Sequence, residues 1–199
     1  MPMADTPEPL YCADAQEWWR WLENNADTAS EVWLAIGKKG SGIPSVTSPE
    51  ALDAALCFGW IDAVRHALDD THFAQRYTPR GARSIWSQRN REHVARLIDE
   101  GRMQPRGLAE VERAKADGRW DAAYAPASTA AVPDDLASAL RENPAASALF
   151  EQLDGTNRYA ILFRIANVKR AETRARKIAE YVAMLERGET IHPRRGARR

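Results

Sequence analysis

The stretch E-A-L-D-A-A-L-C-F-G-W-I-D-A-V-R (residues 50–65), followed at 76–90 by R-Y-T-P-R-G-A-R-S-I-W-S-Q-R-N, decides the fold. Its opening has apolar residues at helical spacing, with Leu52, Ala55 and Leu56 on one side. Ser48 as cap, Pro49 in the first turn and Glu50 at the positive end open that helix, and Gly59 stops it. From Trp60 the period shortens. W-I-D-A-V-R-H-A-L reads as a strand, Asp69-Asp70 as a turn, and Phe73–Thr78 as the antiparallel return. Pro79 ends the pairing because it has no N–H to donate.

Outward from this segment, Asp14 with Glu17 three residues on forms a capping signal for a helix carrying Trp18, Trp19, Trp21 and Leu22. S-E-V-W-L-A-I-G-K (30–38) is β-prone and ends at Gly37; K-K-G-S-G-I-P-S then reads as a loop without phosphate-loop spacing. Ser87 caps a helix with Val94, Leu97 and Ile98 as its stripe, and Pro105 starts another that ends at Gly118. A-P-A-S-T-A-A-V-P is a run of small residues, and everything after it is helical, ending in a long helix over Lys169–Arg187. The expected organisation is a flexible arm (1–12), an α+β domain (13–124), a linker (125–132), a helical C-terminal subdomain (133–190) and a basic disordered tail (191–199). The fold class is α+β: a small, mainly antiparallel sheet of about three strands packed by helices, then the helical subdomain.

The formal charge of zero hides an asymmetry. Residues 158–199 hold 12 Lys/Arg against 4 Asp/Glu, and the first 157 hold 16 against 24. Such a basic third fits a solvated helix face, and less well a nucleic-acid surface. Two cysteines and four dispersed histidines give neither a disulfide framework nor metal-ligand spacing, so no metal and no cofactor is expected. The start M-P-M-A-D-T-P-E-P is not the pattern of a secretory signal, and no window reaches the roughly 18–20 apolar residues of a membrane span. The expected compartment is the cytoplasm.

Polar groups crowd around aromatic ones between Trp60 and Trp86. If strand 60–68 alternates regularly, Asp62 shares a face with Trp60, and Arg76 on the return strand comes within reach of Asp62. The candidate ligand-binding set is Lys38, Trp60, Asp62, Arg76, Arg80, Ser84 and Trp86, suited by its guanidinium groups to a small anionic ligand or a protein partner. An enzyme working through Asp53, Cys57 and Asp62 is one alternative, although Cys57 reads better as a small core residue. A nucleic-acid binder using the C-terminal basic helices is the other.

Several phrases resemble a known family when taken together and in order. They are A-L-C-F-G-W-I-D (55–62), R-Y-T-P-R (76–80), S-I-W-S-Q-R-N (84–90), L-I-D-E-G-R-M (97–103) and A-K-A-D-G-R-W (114–120). After the linker come N-R-Y-A-I-L-F-R-I (157–165) and K-R-A-E-T-R-A-R-K-I (169–178). The chain resembles the YdeI/OmpD-associated, or bacteriocin-protection, family from about Glu31 to Pro193, with Ala63 where a glycine commonly follows W-I-D. The resemblance implies an α+β part followed by a helical part, a role in tolerance to bacteriocins or antimicrobial peptides, and association with an outer-membrane porin; the role expected of this chain is non-enzymatic stress tolerance. It brings no catalytic residues.

Overall fold

The computed structural model describes residues 8–193. The tail expected at 191–199 falls largely outside them, as does the arm expected at 1–12 up to residue 7. The chain divides into two compact units after Ala123, and each is described on its own.

Among the described residues, the first unit is a four-stranded sheet and four helices: β1 (Leu10–Tyr11), α1 (Ala15–Asn25), β2 (Val32–Gly37), α2 (Ser48–Cys57), β3 (Trp60–Ala67), β4 (His72–Pro79), α3 (Gln88–Asp99) and α4 (Pro105–Ala116). The strand order is β1-β2-β4-β3, antiparallel except where β1 pairs in parallel with β2. Instead of a loose arm, Leu10–Tyr11 thus add a fourth strand, and Cys12 beside them is buried.

Asp14 caps α1 by accepting from the Gln16 and Glu17 amides. The cap of α2 is Thr47, one residue before the expected Ser48. Its hydroxyl accepts from Glu50 N, and the Glu50 carboxylate accepts from Thr47 N and Oγ1, so the capping box is complete only in that register. The core gathers Trp18 and Leu22 of α1, Leu34 and Ile36 of β2, Leu56 of α2 and Tyr77 of β4. Two indole N–H groups pin it: Trp18 donates to Ala51 O (3.0 Å) and Trp60 to Ala26 O (3.2 Å). At the far end of α2, Gly107 of α4 lies so close that a β-carbon there would stand 2.1 Å from Cys57 O.

β3 does not alternate regularly. The register shifts between Asp62 and Arg65, so Asp62 lies opposite Tyr77 while Arg65 lies opposite Gln75. This is a β-bulge, and the buried Gln75 side chain serves it. Its Nε2 donates to Ala63 O (3.3 Å) and Val64 O (3.1 Å), and its Oε1 accepts from Arg65 Nε (3.1 Å). At the hairpin tip the Asp69 carboxylate accepts from Thr71 N, Thr71 Oγ1 and His72 N. Those bonds, the Thr71 hydroxyl first, pull its pKa down to about 2.

The second unit is helical: α5 (Asp134–Arg141), α6 (Pro144–Glu151), α7 (Gly155–Ala166) and α8 (Ala171–Glu186). Leu136, Leu140, Phe150, Ile161, Ile165, Ile178 and Leu185 are among its core. Asn143 and Asp154 cap α6 and α7. Arg174 of α8 clasps the Asp135 carboxylate of α5 through two bonds (2.6 and 3.0 Å) and donates to Ile165 O.

Candidate functional site

The structure separates the seven candidate residues into five places. Lys38 lies at one end of the sheet, its Nζ donating to Asp69 O (2.6 Å). Trp60 is fully buried as a core anchor. Asp62 and Arg76 do not pair: the bulge sets Asp62 opposite Tyr77, and Arg76, opposite Trp33 on β2, forms its ion pair with Glu31. The expected Asp–Arg contact rested on regular alternation, which the bulge removes.

Arg80, Ser84 and Trp86 do come together. Arg80 leaves β4 with its N–H on Gly59 O (2.9 Å), and its guanidinium lies over the Trp86 ring at 3.6 Å from the centroid. The same side chain donates to Ile85 O. Between them Gly81–Ser84 makes a tight turn, closed by Ser84 N on Gly81 O and by Gly81 N on the Ser84 hydroxyl. The Ser84 side chain is therefore committed to the turn, and its carbonyl is the outward-acting group.

Residues absent from the expected set complete the cluster. Arg119, just past α4, donates through Nη1 to Ser84 O (2.9 Å) and through Nε to the Asp117 carboxylate. Trp120 packs edge-on against Trp86, with centroids 4.8 Å apart. Arg91 of α3 reaches over Trp120 and donates to its carbonyl (2.9 Å), and Arg113 donates to Arg80 O (3.3 Å). Arg91 makes no ion pair among the described residues. An open cleft of about 500 Å³, lined by Gln88, Arg91, Glu92, Ala95 and Trp120, runs beside it. Two donors in the cluster, Trp86 Nε1 and Arg119 Nη2, are buried and meet no acceptor among the described residues. The phrase A-K-A-D-G-R-W held two of the missing members, Arg119 and Trp120, but nothing in their spacing tied them to Arg80.

Asp53, Cys57 and Asp62 form no joint site. Asp53 binds His93 of α3, whose Nδ1 donates to it (2.7 Å), and Arg96 (2.5 Å). Cys57 is fully buried, and burial pushes its thiol up to about 11, so no thiolate forms near neutral pH. Among the described residues no group of three or more His, Cys, Asp or Glu stands close enough to hold a metal ion, and no helix is long and apolar enough to cross a membrane. The C-terminal arginines and lysines are partly spent on internal contacts: Arg158 lies over Phe150, Arg176 faces Glu180, and Arg174 holds Asp135.

Two family models match the chain. One, described as a domain of unknown function (DUF8412), covers residues 10–110, nearly all of the first unit. The other, described as "Bacteriocin-protection, YdeI or OmpD-Associated", covers residues 129–188. Neither the curated proteins nor the solved structures hold a match. The family likeness of phrases before the linker thus coincides with a model of its own, while the YdeI/OmpD-associated model is confined to the helical unit. The chain belongs to the DUF8412 family and carries a YdeI/OmpD-associated, bacteriocin-protection domain behind it.

Proposed function

We propose that the protein is a non-enzymatic, cytoplasmic binding protein serving the protective role named in the description of its C-terminal domain. Its first unit holds a small anionic ligand at the cluster of Arg80, Trp86, Arg119 and Trp120. One observation carries this reading: the buried donors Trp86 Nε1 and Arg119 Nη2 meet no acceptor among the described residues. A buried N–H without a partner costs about 1–3 kcal/mol, so a site that keeps two of them calls for an acceptor from outside. Guanidinium groups on both Trp rings make an anionic oxygen the favoured one.

All seven tryptophans precede Tyr124, so tryptophan emission reads the first unit alone. Inorganic phosphate, sulfate and citrate titrated at constant ionic strength should give, for at least one anion, a saturable emission change and a rise in Tm. At a hundred times Kd the stabilisation is about 2.7 kcal/mol. Arg119→Gln and Trp86→Phe should each abolish both responses. No response above the salt control, or a response that survives both substitutions, refutes the proposal.

A further inference from the structure

The second unit contains a cavity that this reading does not use, and every residue lining it belongs to that unit. It is open to solvent and measures about 630 Å³, within the range of small-molecule sites. Its apolar side is a group of three rings. Phe163 of α7 meets Tyr124 edge-on, with centroids 4.9 Å apart, and Tyr159 at 5.8 Å. Its polar side is made of Thr156, Arg164 and His192, and no acidic side chain lines it.

The walls are held by specific bonds. The Tyr159 hydroxyl donates to Ala125 O (3.0 Å), which fixes the segment carrying Tyr124. Asn157, almost fully buried, reads the His192 backbone in both directions: its Oδ1 accepts from His192 N (2.8 Å) and its Nδ2 donates to His192 O (3.2 Å). A buried amide spent on placing a chain segment against α7 gives the cavity a built wall. Arg164 is exposed and makes no ion pair among the described residues, so its charge is available at the rim.

We propose that this cavity binds a small planar aromatic carboxylate, its ring against Phe163, Tyr124 and Tyr159 and its carboxylate on the Arg164 guanidinium. Rings prefer edge-to-face or offset packing, which a flat guest achieves against three walls set at different angles. A guanidinium with no ion pair among the described residues supplies a charge-assisted bond to the carboxylate.

The test uses the full chain with 4-hydroxybenzoate as probe, followed by calorimetry and by saturation-transfer NMR, with its methyl ester and acetate as controls. The acid should bind, and the ester and acetate should each bind about tenfold more weakly or worse. Arg164→Gln, at an exposed position, should leave the fold intact and weaken the acid about tenfold, while the ester is unaffected. Phe163→Ala should weaken both. Arg119→Gln should change nothing, which separates this cavity from the cluster in the first unit. Equal affinity for acid and ester, equal affinity for acid and acetate, or unchanged binding in Arg164→Gln overturns the proposal.

Discussion

Gly107→Ala is the most demanding single test of the first unit. A β-carbon at Gly107 would lie 2.1 Å from Cys57 O, 2.8 Å from Cys57 C and 2.9 Å from Leu56 O. Carbon–oxygen contacts in proteins begin near about 3.3 Å, so α2 and α4 must part by roughly 1.2 Å. Both obstructing groups are backbone, and no rotamer change relieves them. The Gln104 amide also donates to Cys57 O (3.1 Å), and such a parting stretches that bond beyond hydrogen-bonding length. Overpacking costs about 1–3 kcal/mol and the lost bond about 1, while the better helix propensity of Ala returns about 1. The net is a loss of about 2 kcal/mol, equivalent to a Tm about 6–10 °C lower for a unit of this size. Guanidinium unfolding followed by tryptophan emission isolates the effect, because the second unit contains no tryptophan. A Gly107→Ala midpoint equal to or above the unmodified one would refute the close approach of these helices.

Two further outcomes follow from the hairpin. Gln75→Leu strips Ala63 O and Val64 O of their shared donor and should destabilise the first unit by about 1–2 kcal/mol in urea; an unchanged midpoint counts against the bulge geometry. Asp69 is held below its ordinary 3.8, at about 2, so its carboxylate stabilises the folded hairpin above the unfolded-state pKa, and that contribution disappears as pH falls from about 4 through about 2. Hydrogen exchange at the Thr71 and His72 amides should show Asp69→Asn less protected than the native hairpin at pH 6, with the gap much reduced near pH 2, where the native carboxylate is about half protonated; a constant gap at both pH values contradicts the assignment.

Much of this fold is legible in the chain, because local signals and tertiary packing agree. Asp14 and Ser87 announce helix starts that form with those residues as caps. The hairpin announces itself through the change of period after Gly59 and the double aspartate, and Pro79 is its last paired residue. Three features stay hidden for a common reason: they depend on partners remote in sequence. Leu10–Tyr11 become a strand only because β2 offers a free edge. The bulge depends on Gln75, whose side chain crosses to carbonyls 11 and 12 residues earlier. Arg119 meets Ser84 across 35 residues, and no periodicity links those positions. At the candidate site, Arg80, Ser84 and Trp86 were readable as a group because they are near neighbours in the chain. Arg76 was misread because its partner, Glu31, stands 45 residues away.

Among the described residues the order β1-β2-β4-β3 leaves this sheet two open borders, and an open border is where one molecule adds its strands to another. β1 is only two residues long, too short to template much. β3 has eight residues and would be the dangerous side if straight, but its ladder is broken between Asp62 and Arg65, and exposed charges flank the break. Gln75, by holding that break open from the neighbouring strand, is thus a guard against self-association as well as a stabilising contact. Removing it should make the folded protein more prone to assemble edge to edge.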